Sequence, residues 1–368
     1  MRILIFNWKD IHNPIAGGAE VFTHEVAKRW VEWGHEVTLF CARFPGAPER
    51  ETVDGVRIIR RGGRFGVYRE APRFWRAEGE GTFDVVIDEV NTRPFLTPRF
   101  VHDTPIVCLI HQLAAEVWHE EMPPVISHIG RYWLEPRWLR MYRDIPIVTV
   151  SASTESDLRR LGFEDVTVVP EGLSIEPLAE VPEKEPVPTM LFVGRLVNTK
   201  RPDHAVRAHA LVRKQIPDAR LWVVGDGYMR KKLERMAATG VTFFGQVSED
   251  EKYRLMSRAH VLLVPGVREG WGLVVIEANA MGTPAIGYDI PGLRDSVQEG
   301  VTGVLVAPTS IALGGAAENI LAGRGVLRDT DHTFALPTKH LSWRRTARCF
   351  DRLLDEVAIT YQWDAAAR

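Results

Sequence analysis

The sequence predicts an α/β protein built from two parallel sheets, each flanked by helices. Near the N-terminus a buried-strand run, Arg2 to Trp8, is followed by a loop with Gly17-Gly18, an amphipathic helix from about Ala19 to Trp33 and a second strand. This order is typical of parallel α/β sheets. The same alternation of strands and helices begins again at Met190, after a proline- and glutamate-rich stretch from Glu176 to Thr189. The 368 residues therefore divide into two α/β domains joined by an extended linker.

Apolar runs continue the first sheet after the opening strand. They lie at Val37–Phe40, Val56–Ile59, Val85–Ile87, Ile106–Ile110, Ile147–Val150 and Val166–Val169. His111 follows one of them directly, at the edge where open α/β sheets bind ligands. Position alone leaves a structural and a functional role equally open. Gly17 and Gly18 allow the backbone to approach a phosphate, but the spacing is not G-x-G-x-x-G, so no dinucleotide fingerprint is predicted.

The second half contains its own strands and helices. Strands are predicted at Met190–Val193, Leu221–Val224, Val241–Gly245, Val261–Pro265 and Ala285–Ile286, and helices at about Pro202–Lys214, Ile311–Ala322 and Ser342–Tyr361. The last helix carries an apolar stripe suited to packing on another element.

Composition and charge exclude several classes of protein. Hydrophobic residues make up 45% and charged residues 26% of the chain, and the net charge is −2, which argues against a general nucleic-acid-binding protein. Cys41, Cys108 and Cys349 are too few and too scattered for a disulfide framework or a zinc site. No apolar run reaches the ~18 residues of a membrane span, and a strand rather than a signal peptide comes first. We therefore expect a cytoplasmic globular protein.

The stretch from Arg268 to Gly287 contains two carboxylates at an informative spacing. Glu269 lies in a glycine-flanked turn, and Glu277 follows eight residues later inside a helix. Eight residues correspond to slightly more than two helical turns, so both carboxylates can face the same side of this element. The backbone amides at the helix start can bind an anion. The two carboxylates can accept hydrogen bonds from hydroxyl groups at the two ends of a ligand, and the amides between them can bind a phosphate. A nucleotide-activated sugar contains both kinds of group. Two glutamates on a helix are more often solvated, but the apolar residues beside them indicate burial.

Two cations in the loop after the Met190 strand are the second signal. Arg195 and Lys200 flank a space suited to a diphosphate, whose negative charge builds up as a nucleoside diphosphate departs. Arginine offers two parallel donors and lysine a point charge. Cations in a loop are usually solvated, so the residues alone leave this role open.

These motifs resemble those of a known family. The segment Glu269–Glu277 resembles the E-x7-E signature of retaining glycosyltransferases of the GT-B fold, most closely family 4, and the segment Gly194–Lys200 resembles their G-R-x4-K diphosphate clamp. The resemblance implies two Rossmann-like domains facing each other across a cleft. The acceptor-side domain would span 1–172, the linker 173–189 and the donor-binding domain 190–344, with a final helix, about 345–368, crossing back to the first domain.

The resemblance also implies an activity and a site. The enzyme would move a hexose from a UDP- or GDP-hexose to an acceptor hydroxyl with an α-linked product, in glycan, glycolipid or glycoconjugate assembly. The leaving phosphate would help to deprotonate the acceptor, and neither a cofactor nor a metal ion is expected. The implied catalytic residues are His111, Glu269, Arg195 and Lys200. The implied donor-binding residues are Gly17, Gly18, Gly194, Arg195, Lys200, Asp226, Val247, Glu269, Gly270, Trp271, Gly272, Leu273 and Glu277, with Glu277 on the ribose.

Some features depart from the family or lie outside it. Arg201 stands where the family usually has glycine, Pro291-Gly292 where it often has Gly-Gly, and Glu171 where it often has asparagine. Asp329-Thr330-Asp331 spells the D-x-D triplet of metal-dependent glycosyltransferases, but it lies far from any predicted strand end carrying donor residues and is interpreted as a chance match.

Two arginine- and aromatic-rich stretches concern the acceptor. They are Val56 to Arg76 and Arg131 to Arg143, and their composition is typical of surfaces that contact a membrane. The other interpretation is ordinary helices with aromatic cores and solvated arginines. We expect the acceptor to be a glycan, a glycolipid or a small molecule. Peripheral contact of the protein with a membrane is one hypothesis.

Two alternatives to a transferase share this fold. A nucleotide-sugar 2-epimerase would need no acceptor, and a non-catalytic sugar-nucleotide-binding protein would be expected to lack the clamp or the glutamates. Nucleotide release from a panel of nucleotide sugars distinguishes them.

Overall fold

The chain forms two compact units in the computed structural model, which describes residues 1–324, 327 and 341–366. The first unit comprises Met1–Ala115, Pro124–Gly172 and Leu341–Arg368, and the second comprises Glu116–Pro123 and Leu173–His340. The triplet Asp329–Asp331 lies outside the described residues.

The first unit contains an eight-stranded sheet. Its strands are β1 (Arg2–Phe6), β2 (Glu36–Cys41), β3 (Arg50–Val53), β4 (Val56–Arg60), β5 (Val85–Glu89), β6 (Ile106–Ile110), β7 (Ile147–Thr149) and β8 (Val166–Val168). They are arranged in the order β3-β4-β2-β1-β5-β6-β7-β8. All neighbours pair in parallel except β3, which is antiparallel to β4. The predicted parallel sheet is confirmed, and β3 was missed because its exposed, alternating sequence carries little apolar signal.

Helices connect these strands. They are α1 (Gly18–Glu32), α2 (Val67–Phe74), α4 (Pro124–Ile129), α5 (Glu135–Leu139) and α6 (Ala152–Arg160). The short helix α3 (Val117–Glu121) lies between β6 and β7 in the chain but belongs to the second unit. The π-helical turn Gly130–Leu134 joins α4 to α5. The start of α1 is fixed by Glu20, whose carboxylate accepts the Gly17 amide at 2.6 Å, and α6 is capped by the Ser151 hydroxyl.

The second unit contains a six-stranded, fully parallel sheet in the order β11-β10-β9-β12-β13-β14. Its strands are β9 (Thr189–Val193), β10 (Arg220–Val224), β11 (Val241–Gly245), β12 (Val261–Val264), β13 (Ala285–Tyr288) and β14 (Gly303–Val306). Its helices are α7 (Pro202–Val212), α8 (Arg230–Met236), α9 (Glu249–Arg258), α10 (Leu273–Ala280), α11 (Leu293–Ser296) and α12 (Ser310–Leu321). The prediction of a second parallel α/β sheet is confirmed.

The final helix, α13 (Trp343–Ala366), packs on α1 within the first unit. The Trp30 indole donates to the Ala347 carbonyl at 3.1 Å and its ring lies 5.2 Å from that of Phe350. Trp343 contacts Phe22 edge to face. The predicted apolar stripe therefore buries its aromatic residues against the N-terminal segment. No helix in the described part of the chain is long and apolar enough to cross a bilayer.

The chain between the two sheets is held against the second unit. The Lys184 ammonium donates to the Ser257 and Gly282 carbonyls and to the Thr283 hydroxyl at 3.0, 2.8 and 2.7 Å. Burial lowers the pKa of Lys184 to about 8. These hydrogen bonds fix the path of a segment whose composition predicted an extended linker.

The first arginine- and aromatic-rich stretch is largely part of the core. Phe74 and Trp75 are almost fully buried, and Arg60 forms an ion pair with Asp10 at 2.7 Å in which both side chains are inaccessible to solvent. Phe74 and Trp75 therefore pack the core, as in the interpretation of ordinary helices with aromatic cores, whereas Phe65 is 75% exposed. Cys41 and Cys108 are buried and unpaired, as expected.

Candidate active site

The predicted donor residues occupy loops at one edge of the second unit's sheet. Because all six strands are parallel, the loops that follow β9, β10, β11 and β12 leave from their shared carboxyl edge. Arg195 and Lys200 follow β9, Asp226 follows β10, Val247 follows β11, and Glu269 follows β12. Residues far apart in sequence thus share one edge.

The two motifs meet at Lys200 and Glu269. The Lys200 ammonium lies 2.6 Å from each carboxylate oxygen of Glu269. The Glu269 side chain is only 11% exposed, so its charge needs this partner. Arg195 is exposed in the same loop. The structure therefore brings the clamp loop and the first glutamate of E-x7-E into one charged group.

The second glutamate is paired elsewhere on the same unit. Glu277 lies on α10 and accepts from the Lys252 ammonium of α9 at 3.1 Å. The Lys252 ammonium also donates to Glu249 at 2.7 Å. Each glutamate of the motif is therefore mostly buried beside its own lysine. No local pattern indicates Lys252, which lies 25 residues before Glu277.

The start of α10 follows the glycine-rich turn. Gly272 has φ of +99° as the N-cap residue, a left-handed conformation that favours glycine. Leu273 is the first helical residue, and Gly270 and Trp271 form the turn before it. The indole nitrogen of Trp271 is buried and has no hydrogen-bond partner within the described residues. A buried donor without a partner is costly, and a ligand atom that reached this turn would satisfy it.

Glycines bring the loops after β9 and β10 close together. A Cβ atom on Gly225, which has φ of +119°, would lie 2.0 Å from the Gly194 carbonyl oxygen. The Asp226 carboxylate accepts the Gly227 amide at 2.7 Å, and Val247 packs at the border of the core. Only glycine fits at this contact, which explains the Gly225-Asp226-Gly227 sequence.

An acidic segment covers part of the clamp loop. We call the residues Glu116–Pro123, which include α3, the acidic strap. Its carboxylates contact the loop and the Glu269 turn: Glu116 pairs with Arg268 at 2.9 Å and Glu120 with Arg201 at 2.8 Å, and Glu121 accepts the Thr199 amide at 3.1 Å. Arg201 has φ of +46°, the conformation for which glycine is favoured. The unusual arginine thus keeps the backbone shape and adds an ion pair.

His111 lies in a separate buried cluster in the first unit. Its two ring nitrogens are 3.3 Å from a Glu89 oxygen and 3.8 Å from a Glu171 oxygen, and Thr23 donates to Glu89 at 2.6 Å. Carboxylates only accept hydrogen bonds, so the ring can be a donor towards both only when it is doubly protonated. Burial by itself would lower the pKa of His111, but the interactions with Glu171 and Glu89 raise the pKa to about 9.

The glycine loop lies beside another buried ion pair. Gly17 precedes α1 and Gly18 is its first residue. Glu20 accepts the Gly17 amide and pairs with Lys9 at 3.0 Å, although its side chain is only 1% exposed. Burial raises the pKa of Glu20 in spite of Lys9. The glycines are predictable from the sequence, whereas Lys9, Glu20 and Glu89 are not, because each stands singly in apolar surroundings.

The His111 cluster predicts how stability depends on pH. The folded-state pKa of about 9 lies above the ordinary value of 6.5, so its stabilisation is fully present below pH 6.5 and is lost as the pH rises through 9. We expect the free energy of unfolding to fall by roughly 2 to 3 kcal/mol over this interval in chemical denaturation. His111→Gln should lack this slope, and the matched variant His12→Gln, at a half-exposed position, should keep it. A flat wild-type profile would refute the assignment.

Comparison with solved structures gives the fold. Sucrose-phosphate synthase from Thermosynechococcus elongatus superimposes with a TM-score of 0.81 at 23% identity, covering 100% of both chains. Anabaena HepE, solved in complex with UDP and glucose, gives a TM-score of 0.72 at 15% identity, covering 97% of this chain and 100% of that one. These similarities place the chain in the GT-B fold.

Comparison with curated proteins gives relatives of known activity. A glycogen synthase of Mycobacterium tuberculosis is 25% identical over 369 positions, covering 87% of this chain and 86% of the relative. A D-inositol 3-phosphate glycosyltransferase of Nocardia farcinica is 34% identical over 173 positions, covering 44% of this chain and 38% of the relative.

Two family descriptions together span most of the chain. "Glycosyltransferase Family 4" matches residues 16–176 and "Glycosyl transferases group 1" matches residues 176–329. The second match contains the clamp loop and both glutamates of E-x7-E. The chain therefore belongs to the group 1 glycosyltransferases of family 4, enzymes that transfer sugars from nucleotide-sugar donors.

Proposed function

We propose that this enzyme transfers a hexose from UDP- or GDP-hexose to an acceptor hydroxyl with retention of configuration, giving an α-linked product. The contact between Lys200 and Glu269 carries the proposal. It joins a cation suited to a leaving diphosphate and a carboxylate suited to sugar hydroxyls in one mostly buried group. A ligand that engages both must contain both chemical groups, as a nucleotide sugar does.

Each donor residue then has a chemical task. Lys200 and Arg195 stabilise the charge that develops on the diphosphate as the bond to the sugar breaks. Glu269 accepts hydrogen bonds from the transferred sugar, and Glu277 accepts them from the ribose. Lys252 pairs with the Glu277 carboxylate at 3.1 Å and orients it. The departing phosphate oxygen accepts the acceptor's proton, so no protein nucleophile is needed.

The chemistry around His111 limits its part in this reaction. With carboxylates beside both ring nitrogens, the imidazolium has no free nitrogen that could accept a proton, and the carboxylates balance its charge. His111 is therefore not the general base of the proposed reaction, and its catalytic role stays a prediction.

The first experiment identifies the nucleotide base of the donor. The solved complexes of HepE contain UDP or UDP-glucose, which supports uridine nucleotides as the first candidates. Thermal unfolding with UDP, GDP and ADP ranks them, because a ligand at 100 times its Kd adds ~2.7 kcal/mol of stability. Nucleotide release with and without acceptor then distinguishes transfer from 2-epimerisation or binding alone.

Substitution of the donor residues gives a quantitative test. We expect Lys200→Ala and Glu277→Ala to lower kcat/KM by ~30- to 1000-fold, because each removes a charge-assisted contact that contributes on the order of 2 to 4 kcal/mol in the transition state. Nucleotide release by the full chain provides the measurement. Lys231→Ala, at an exposed lysine of α8, is the control and should leave activity unchanged.

Stability must be measured beside activity, because Lys200→Ala leaves the Glu269 carboxylate without its lysine. Thermal unfolding should show that both variants fold. If both folded variants keep more than half of the wild-type kcat/KM, the donor-site assignment fails.

We further propose that the cationic clamp replaces a divalent metal ion. Lysine and arginine supply the positive charge that Mg²⁺ supplies in other sugar transferases, so we expect full activity in a chelator. The assay compares initial rates with EDTA, with Mg²⁺ and with Mn²⁺. Activity that EDTA abolishes and metal restores would contradict this proposal.

We also propose that the first unit rests on an anionic membrane surface through one helical face. Five large apolar residues of α4 and of the π-helical turn that follows it are exposed, and we call them the apolar face. They are Val125, Ile126, Ile129, Tyr132 and Trp133, which are 72, 51, 49, 60 and 75% exposed. Their spacing of one, three, three and one positions follows one side of a helix, and contiguous exposed apolar surface marks an interaction site.

The charges near this face fit anionic lipid. Arg131, Arg137, Arg140 and Arg143 belong to the same helical segment. The Glu135 carboxylate does not offset them at the surface, because it is buried and accepts the Ala114 and Ala115 amides at 2.7 and 3.0 Å. Apolar side chains flanked by arginines favour an interfacial position. Of the aromatic residues in this stretch, Tyr142 is instead part of the core.

Vesicle cosedimentation tests the membrane proposal. Vesicles rich in phosphatidylglycerol should bind the wild type at low salt and release much of it at high salt. Ile126→Ser/Trp133→Ser should weaken binding at least about tenfold, since each side chain contributes roughly 1.5 to 3 kcal/mol when buried. Ile311→Ser, at a residue of the second unit that is 74% exposed, should bind normally. Lack of wild-type binding at low salt would remove this proposal alone.

A further inference from the structure

Two exposed arginines of the first unit are stacked on aromatic rings at the carboxyl edge of its sheet. The Arg93 guanidinium lies 4.3 Å from the centre of the Tyr68 ring, and Arg64 lies 5.9 Å from the centre of the Trp8 ring. Trp8, Arg64 and Arg93 follow β1, β4 and β5 by two, four and four residues. All three strands are parallel members of one sheet. The arginines therefore lie where open α/β sheets bind ligands.

The two rings that hold the arginines, Tyr68 and Trp8, pack against the same hydrophobic cluster of the first unit. Burial is the largest influence on Tyr68 and raises its pKa to about 12, although the charges of Arg93 and Arg64 act to lower it. Tyr68 remains partly exposed, so its hydroxyl is protonated at neutral pH and can donate a hydrogen bond.

The loop that carries Arg64 has a fixed shape. Gly62 has φ of +64°, and a Cβ atom there would lie 2.6 Å from the Gly66 carbonyl carbon. The two ends of the Gly62–Gly66 turn therefore touch, and Arg64 stands at its tip. Stacking on Trp8 and on the neighbouring Phe65 ring at 5.5 Å further restricts the guanidinium.

The carboxylates close to these arginines in the chain or the sheet have other partners. Asp10 pairs with Arg60 and Glu70 with Arg73. Asp88 is fully buried and accepts from Phe95, Thr97 and Tyr142. Within the described residues, neither Arg64 nor Arg93 has a carboxylate partner. A stacked guanidinium keeps its N–H groups available at its edge, so this surface presents donors that no ion pair within the described residues occupies.

We propose that Arg64, Arg93 and the Tyr68 hydroxyl form a subsite for a phosphate group on the acceptor, so that the enzyme glycosylates a phosphate-bearing polyol. The proposal rests on the transferase function proposed above and names the chemical class of its acceptor. Two guanidinium groups and a phenol hydroxyl match the several acceptor oxygens and the double charge of a phosphate monoester. An uncharged sugar would leave both cations unused.

The same chemistry has two sources, a soluble sugar or inositol phosphate and a phosphate-linked lipid. The experiment therefore measures acceptor-dependent nucleotide release with glucose and inositol, each with and without a phosphate monoester, and with vesicles that contain phosphatidylinositol 4-phosphate. Activity on the soluble phosphorylated polyols alone shows that the acceptor is a soluble phosphate ester. Activity on the vesicles alone shows that the acceptor is a lipid headgroup. Equal activity on phosphorylated and unphosphorylated acceptors overturns the proposal.

Two double variants test whether Arg64 and Arg93 bind the phosphate of the acceptor. Arg64→Gln/Arg93→Gln should raise the KM for the phosphorylated acceptor by about 10- to 100-fold or more, the loss expected for a charged hydrogen bond, and should leave the KM for the donor unchanged. Arg69→Gln/Arg73→Gln removes two exposed arginines of α2 and is the control matched for charge. An unchanged acceptor KM in the first double variant, or an equal rise in the control, overturns the proposal.

Direct binding separates this proposal from the donor assignment. Calorimetry with glucose 6-phosphate and inositol 1-phosphate should show binding to the wild type and to Lys200→Ala, and at least about tenfold weaker binding to Arg64→Gln/Arg93→Gln. Absence of nucleotide release from every donor would refute the transferase function while this measurement still decides the phosphate subsite. Wild-type protein that binds neither phosphate refutes the subsite.

Discussion

The parallel direction of the strands is the constraint on which both candidate sites depend. A parallel sheet sends every strand-following loop to one edge, so residues far apart in sequence meet there. In the second unit this rule joins Lys200, after β9, to Glu269, after β12. In the first unit it joins His111, after β6, to Glu89 at the end of β5. The same rule collects the aromatic rings and arginines after β1, β4 and β5.

Burial of charge separates the polar groups that shape each unit from those available to ligands. Arg60 with Asp10, and Lys9 with Glu20, lie almost wholly out of water, where a single charge without its partner would be costly. Such pairs fix loop geometry. Arg195, Arg64 and Arg93 are exposed, and within the described residues none of them has a carboxylate partner. A ligand can therefore use their charge without breaking an existing ion pair.

The sequence was sufficient for the two sheets and for the charged motifs, because each rests on local signals. Apolar runs mark buried parallel strands, and glycines with positive φ mark the turns after them. Partners such as Lys252 and Glu89 could not be found, because nothing near them in the chain indicates the residue they will contact. The acidic strap was missed for the same reason. Its negative charge is local, but the arginines it contacts, Arg201 and Arg268, lie 81 and 152 residues further on.

The acidic strap has a consequence for building chimeras between members of this family. A single crossover near residue 172 would take the strap from one parent and its cationic partners from the other. The resulting hybrid would set Glu116, Glu120 and Glu121 against residues of the other parent. A parent with glycine at the position of Arg201 would give a hybrid without the ion pair between Glu120 and Arg201. Recombination that keeps residues 116–123 with the parent of the second unit avoids this mismatch.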